Sequence, residues 1–454
     1  MPLALEIEIC AALAQAFTNA ASLPDMVASA DHLLGSRWRW VRLLVKRFAA
    51  ANPSATRPRY RDAYQFLAKD GAVRRALYRH PGEIHLAHTI PSPPRMRPVP
   101  AAQPWNLPTL ETLGDLAQWF WLSPEQLDWF AGLNRFSKNG SEELQHYRYR
   151  LEPKSHGGLR LIEIPKPRLR KLQRQILHYI LDLIPAHPAA HGFVKGRGIL
   201  SFAQPHAAKP IVLRLDLQDF FPSIYGPRVQ TLFRTFGYPE NVADSLGGIC
   251  TNIVPSHIWN TTPEGTTLDA KVAAKALYRS SHLPQGAPTS PALANLCAYR
   301  LDCRLTGLAK AAGAVYTRYA DDLAFSGDAS FARGVDRFAT HVAAIAAEEG
   351  FSVNHRKTRI MRLGVRQHLA GLTVNEKPNI RRDTFDELKA ILTNCLRHGP
   401  ATQNRENHPD FRAHLEGRVS FVASIHPAKG LKLQSLLRQI QWADTPRPAA
   451  PSPP

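Results

Sequence analysis

Apolar residues recur with helical spacing at the start of this 454-residue chain, give way to strand-like runs in its middle, and return to helical spacing near its end. The first 80 residues read as helical, with Ala-rich stretches leading into Arg37-Trp38-Arg39-Trp40 and the apolar run 41–48. Between 109 and 135, Leu110, Leu113, Leu116, Trp119 and Phe120, then Leu127, Trp129 and Phe130, keep the period of helices with one buried face. Ser123-Pro124-Glu125-Gln126 is a helix start: a side-chain acceptor at the cap and proline in the first turn, where an N–H has no helical partner anyway. Leu169, Leu172, Ile176, Leu177 and Ile180 form a helix face, with Arg168, Lys171 and Arg174 off it. Residues 211–215 are an apolar, β-branched run that reads as a buried strand even with Arg214 inside it. Residues 316–326 alternate around Ala320-Asp321-Asp322 and read as a hairpin. After Asn375 the pattern is helical, through Phe385, Leu388, Ile391 and Leu392, then Phe411, Leu415, Val419, Phe421 and Val422.

Prolines mark the divisions. Eight lie in 81–108, so that stretch reads as an extended linker rather than an element. Five more lie in the last nine residues, a tail expected to be disordered. The chain therefore divides at 1–80, 81–108, 109–210, 211–375, 376–442 and 443–454, without an internal repeat.

Charge changes the picture most. Lys and Arg number 57 against 37 Asp and Glu, a net +20, which points to a polyanionic partner, above all nucleic acid. Twelve basic and two acidic residues fall between Arg37 and Arg79; this is either a nucleic-acid-binding helical module or a solvated helix face. A second stretch, Arg148–Arg174, has nine basic and two acidic residues and suits contact with nucleic-acid phosphates through Arg168, Lys171 and Arg174. No apolar run is long enough to span a membrane, and MPLALEIEIC lacks the basic start of a secretory signal. The five cysteines are scattered and form no CxxC pair, which argues for reduced thiols in the cytoplasm rather than a disulfide framework or zinc ribbon. His398, His408, His414 and His426 lack accompanying cysteines and read as caps or surface residues.

Three segments carry the chemistry. Asp216 closes the apolar run, and a carboxylate there is costly to bury without a partner; a metal ion is one such partner. Asp321 and Asp322 are adjacent at a turn, where divalent cations would relieve their repulsion. In Leu283-Pro-Gln-Gly-Ala-Pro-Thr-Ser-Pro-Ala-Leu-Ala-Asn-Leu296, Gly286 permits close backbone approach and Ser290-Pro291 starts a helix.

Together these segments resemble the palm of reverse transcriptases. Leu215-Asp-Leu-Gln-Asp-Phe-Phe221 is similar to their motif A, the 283–296 loop to motif B, Tyr319-Ala-Asp-Asp322 to motif C, and Gly350–Ile360 to motif D with Lys357. The wording of motif B, the stretch His191–Arg197 and residues 412–417 resemble the bacterial retron type, over roughly 105–442. The resemblance implies an α/β (α+β) right-hand polymerase: fingers at 109–210, a palm of antiparallel sheet and helices at 211–375 with inserted helices, a helical thumb at 376–442 and an N-terminal helical extension. It implies RNA-directed DNA synthesis with two Mg²⁺ ions, Mn²⁺ being able to substitute, held by Asp216, Asp321, the Leu217 carbonyl and, more weakly, Asp322. Phe221 takes the place of the gate against a 2′-OH, Gln285 that of the nucleotide and template contact, and Lys154 and Arg160, in a hairpin around Gly157-Gly158, that of the triphosphate clamp, with Lys357 beside them. The thumb, with Arg412 and Arg418 among its cations, would grip the duplex minor groove. The implied partners are a non-coding RNA template, the RNA–DNA product, dNTPs and a separate effector protein in antiphage defence, with no membrane.

Two departures stand out. The Asn-Ala-x-x-His motif of retron enzymes is Phe202-Ala203-Gln204-Pro205-His206 here, and Val-Thr-Gly is Leu369-Ala370-Gly371. They leave open a defence-associated reverse transcriptase of another kind, untemplated or protein-primed. From a different class, a nucleic-acid-binding scaffold with a vestigial site also stays open.

Overall fold

The computed structural model describes residues 2–20, 22–52, 58, 60–88, 95–132, 145–154 and 158–442. The proline tail, 133–135 of the predicted helical stretch and Gly157 of the predicted hairpin lie outside these residues. Elements are numbered in chain order. Contacts separate two compact units that interleave in sequence, Met1–Ile184 with Tyr225–Ser290, and Pro185–Ile224 with Pro291–Pro454.

The first unit begins with five helices, α1 (Pro2–Asn19), α2 (Leu23–Leu33), α3 (Arg39–Ala51), α4 (Tyr60–Asp70) and α5 (Ala72–Arg79). They bury a core of their own, including Ile9, Leu13, Phe17, Leu44, Phe48 and Leu67. Ser22 caps α2 by accepting from the Asp25 amide at 3.3 Å. The proline-rich stretch is not merely extended, as the sequence led us to expect. Pro100–Trp105 forms a 3-10 turn, and the Arg97 amide donates to the Gly237 carbonyl at 2.8 Å. A fixed φ suits the first position of such a turn, and the missing N–H is not needed there.

Next come α6 (Leu113–Phe120) and α7 (Pro124–Ala131). Ser123 and Gln126 form a reciprocal capping box at the predicted start, an arrangement whose hydroxyl is worth about 1 kcal/mol. β1 (Tyr147–Pro153) and β2 (Leu159–Pro165) pair antiparallel, followed by α8 (Pro167–Tyr179), which buries Leu169, Leu172 and Ile176. Helices α10 (Gly226–Thr235), α11 (Glu240–Cys250) and α12 (Leu268–Leu277) complete this unit.

The second unit is built on β3 (Ile211–Gln218), which is longer than predicted and carries Asp216 inside it rather than at its end. One edge of β3 pairs with β5 (Asp322–Gly327), which pairs in turn with β4 (Val315–Tyr319); the other pairs with β7 (Arg359–Arg362) and then β6 (Ser352–Val353), all antiparallel. Successive residues face opposite ways. Phe325 stacks on Tyr316 and meets Phe338 of α16 (Val335–Glu348) on one face. On the other, Val212 and Ala324 join a core with Phe202 of α9 (Ile199–Ala203), Met361 and Leu369. α13 (Ser290–Cys297), α14 (Tyr299–Ala311) and α15 (Ala329–Arg333) flank the sheet segments in sequence. Strands β8 (His368–Leu369), β9 (Leu372–Thr373) and β10 (Asn379–Ile380) form a small sheet, with Ala370 and Gly371 at its turn in left-handed conformations. Helices α17 (Arg382–His398), α18 (Phe411–Ile425) and α19 (Pro427–Gln439) end the described chain; the His426 ring caps α19, accepting from the Lys429 amide.

All five cysteines are free thiols, four of them buried. Among the described residues no helix is long and apolar enough to cross a membrane.

Candidate active site

β3 places Arg214 and Asp216 on the same face, because they are two residues apart, and the register sets Asp216 directly opposite Asp322. Asp321 occupies the two-residue turn with Ala320, whose φ of 55° is left-handed, the condition of the tight hairpin turns that match strand twist. The Leu217 amide donates to the Asp321 carbonyl at 2.8 Å, and the Asn354 amide to the Asp216 carbonyl at 2.8 Å. Backbone bonds thus fix all three aspartates on one patch of the second unit.

Each strand carboxylate has a cation. Lys357 Nζ donates to both oxygens of Asp216, at 2.9 and 3.1 Å. Arg214 donates to Asp322 through Nε at 2.9 Å and through Nη2 at 2.7 and 3.0 Å. Burial, then the charges of Asp322 and Asp216, push the Asp321 carboxyl up to about 6. Burial also raises Asp322, against the pull of Arg214. As they stand, no three His, Cys, Asp or Glu side chains among the described residues converge to hold an ion. The two cations explain this, since each holds one carboxylate. The donor set still fits a hard divalent cation: two carboxylates from paired strands and a third at the turn, raised by burial and by its neighbours' charges, which an ion would offset.

A buried frame holds the turn. Arg318 is fully buried and donates to Asp302 at 2.8 and 2.6 Å, to the Asn295 side chain at 3.0 Å and to the Ala320 carbonyl at 3.1 Å. Asn295 in turn donates to the Gly192 carbonyl at 2.8 Å. A Cβ on Gly192 would lie 2.6 Å from the Ala320 amide nitrogen, so only glycine allows this backbone under the turn. Arg197, in the same loop, donates to the carbonyls of His187, Pro188 and Ala190 and shapes the loop itself.

Phe221 is half-buried, whereas its neighbour Phe220 is in the core beneath Arg318 and against Phe351. The Phe221 ring lies 6.2 Å from that of Phe193, which is half-exposed. His206 is fully buried, with ring nitrogens 2.7 Å from Ser326 Oγ and 2.7 Å from Thr317 Oγ1. Thr317 donates to the Phe202 carbonyl, so it accepts from Nε2–H, and Nδ1 accepts from Ser326. Burial lowers this imidazole to about 3, which keeps it neutral. Its place in the sheet core assigns it structural work.

The remaining predicted residues lie elsewhere. In the first unit, Gln285 is half-buried and its carbonyl accepts from the Glu163 amide at 2.9 Å. Gly286, at φ 132°, approaches Glu163 so closely that a Cβ would sit 2.7 Å from its carbonyl oxygen. The buried Glu163 side chain is held by His282 at 3.0 Å and Asn252 at 2.7 Å, which braces this loop. Lys154 closes the β1–β2 hairpin through its amide, and Arg160 is exposed on β2 opposite Glu152. Arg168, Lys171 and Arg174 are exposed on α8, Arg168 over the Phe130 ring at 5.6 Å. In the second unit, Arg412 pairs with Glu416 at 2.8 Å and Arg418 with Glu387 at 3.3 Å.

Sequence reasoning missed Arg214, Arg318 and Phe193 as site residues. Arg214 was detectable: a guanidinium inside a buried strand, two positions before an aspartate, needs an anion on the same face. Arg318 also lies inside a strand, β4, but its partners Asp302 and Asn295 belong to helices elsewhere in the chain and have no mark in its local pattern.

The family model described as reverse transcriptase (RNA-dependent DNA polymerase) matches residues 152–389, which contain Asp216, Asp321, Asp322, the Gly286 loop and Lys357. The retron Mx65 reverse transcriptase of Myxococcus xanthus is 40% identical over 292 residues, 64% of this chain and 64% of that protein. The retron Mx162 reverse transcriptase of the same organism is 34% identical over 360 residues, 76% of this chain and 70% of that one. The chain belongs to the retron-type reverse transcriptases. The retron Ec86 reverse transcriptase of Escherichia coli is 30% identical over 300 residues, covering 65% of this chain and 82% of that one. The frame of this reverse transcriptase around Asp321, including Gly192 and Arg318, falls inside the family match.

Proposed function

We propose that this reverse transcriptase copies a partner non-coding RNA into DNA at the patch formed by Asp216, Asp321 and Asp322, in the cytoplasm, as part of antiphage defence with a separate effector. The observation that carries the reading is the register: Asp216 opposite Asp322, with Asp321 at the turn between β4 and β5. Two Mg²⁺ ions bound by these carboxylates and the Leu217 carbonyl would activate the primer 3′-oxygen and stabilise the pyrophosphate that leaves. Burial and the charges of Asp322 and Asp216 hold the Asp321 carboxyl at about 6, and a bound cation would stabilise its ionised form and displace the proton. Lys357 and Arg214 keep the other two carboxylates in place until substrate arrives. Phe221 excludes a 2′-OH from the incoming sugar, with Phe193 supporting its ring. Lys154 and Arg160 clamp triphosphate oxygens, and Gln285 reads the nucleotide and template through a loop that Glu163 holds rigid.

On this reading 109–210 are fingers and 211–375 a palm into which α10–α12 are inserted. Residues 376–442 are a thumb, 1–80 an extension joined through 81–108, and 443–454 a tail. Arg168, Lys171 and Arg174 hold template phosphates, and Arg412 and Arg418 exchange their exposed glutamates for the duplex, a low-cost exchange because surface pairs contribute little.

The test is to purify the protein from its host locus, with an Asp321→Ala/Asp322→Ala variant beside it, and sequence the bound nucleic acid. A discrete DNA joined to RNA in wild type and absent from the variant supports the proposal. RNA without DNA in both contradicts templated synthesis and favours a binding scaffold.

A further inference from the structure

The polymerase chemistry uses none of the charge near the N-terminus. Residues 37–79 hold 12 basic and two acidic side chains, a net +10 that is half the charge of the whole chain. A merely solvated face would spread those side chains around the outside of each helix. Instead, five of the twelve line one concavity of about 520 Å³ formed by the start of α3 and the end of α5, whose wall includes Arg37, Trp38, Arg39, Trp40, Arg79 and His80. Arg47 and Arg75 also reach it but are held by Asp70, at 2.8 and 3.7 Å. Arg37, Arg39 and Arg79 are exposed and have no ion pair among the described residues.

Two further features favour a polyanion that carries flat rings. The N-terminus of α3 has no acid in its first turn, and its N-cap, Trp38, offers no side-chain bond, so arginines stack positive charge on the positive end of the helix. Trp38 and Trp40 alternate with those arginines, both half-buried, with the Trp38 ring 4.9 Å from that of His80. An acidic peptide would use the guanidiniums and leave the indoles idle. A duplex would use the guanidiniums but hide its bases. A single strand uses both, phosphate on arginine and base on aromatic ring.

We propose that this concavity binds a single-stranded RNA segment, with Arg37, Arg39 and Arg79 on successive phosphates and a base against the tryptophans. It is a second RNA site, made of none of the residues assigned to catalysis.

The test uses the full chain and a 12-nucleotide RNA carrying 4-thiouridine, photocrosslinked and mapped by mass spectrometry, with anisotropy titrations over a range of salt. The expected result is an adduct within 37–47 or 72–80 in wild type and equally in Asp321→Asn/Asp322→Asn. Because that variant is silent in synthesis, the adduct tests this site whatever becomes of the polymerase reading. Arg37→Glu/Arg79→Glu should lose that adduct, keep those in 145–442 as evidence of folding, weaken binding about tenfold, and flatten the salt slope by about 1.4 for two lost phosphates. Arg37→Lys/Arg79→Lys should keep both the adduct and the slope. Adducts confined to 145–442, with the slope unchanged in the glutamate variant, would overturn the proposal. So would wild-type binding to vesicles containing phosphatidylserine, abolished in the glutamate variant, with no adduct at 37–80; that result would assign the patch to a membrane surface.

Discussion

Asp321 carries a carboxyl that titrates near 6, above its ordinary value, so between about pH 4 and 6 the folded chain binds a proton that the unfolded chain releases, and this group loses stability as pH rises. His206 works the other way: its folded value is about 3, so from about pH 6.5 downward the unfolded chain gains a proton first, and stability falls with acid. The two slopes oppose each other in EDTA. Mg²⁺ competes with the proton on Asp321 and removes its contribution, so the rise in Tm between pH 4.5 and 6.5 should be steeper with Mg²⁺ than with EDTA. Parallel curves would mean that Asp321 does not meet the ion. At Phe221, truncation opens the space beside Phe193 for a 2′-OH. Phe221→Ala should raise the ratio of rNTP to dNTP incorporation about tenfold or more, read by competitive primer extension; an unchanged ratio would reduce Phe221 to packing.

Short strands joined by backbone bonds position the aspartates, and a buried Arg318 frame sets the turn between β4 and β5. Gly192→Ala places a methyl 2.6 Å from the Ala320 nitrogen, inside contact distance, so the turn must shift. The expected cost in stability is about 1–3 kcal/mol, with a fall in kcat of tenfold or more while KM for dNTP changes little. Equal kcat in the variant would show that the turn tolerates the displacement. Much of this level was legible in the sequence. The Ser123 box, the strand at 211–215 and the hairpin around Asp321 follow from local pattern, because cap chemistry and alternation act over a few residues. The 3-10 turn at Pro100–Trp105 was not legible, since proline spacing alone does not distinguish an extended chain from one tied to Gly237. The partners of Arg318 were hidden for the same reason: Asp302, Asn295 and Ala320 meet only through the fold.

Across the whole molecule, the sequence divides into consecutive segments but the contacts do not. The chain leaves its first unit at Ile184, returns at Tyr225 and leaves again at Ser290, so the residues assigned to nucleotide contact are split between two units. Linear reading cannot find such an interleaving, because nothing local marks a return. It did locate the strand and the hairpin that bring Asp216 and Asp322 opposite each other, because alternation and turn pattern are local. The proposed role of the Asp216, Asp321 and Asp322 carboxylates is RNA-templated nucleotidyl transfer. The most direct measurement is extension of a labelled DNA primer on a defined RNA template with dNTPs and Mg²⁺, comparing wild type with Asp321→Asn. Wild type should give template-length product, and none when EDTA is present; the variant, with folded content unchanged, should be at least about a thousandfold slower. Full extension by Asp321→Asn, or a wild type that binds the primer–template and dNTPs yet adds no nucleotide, would contradict that role.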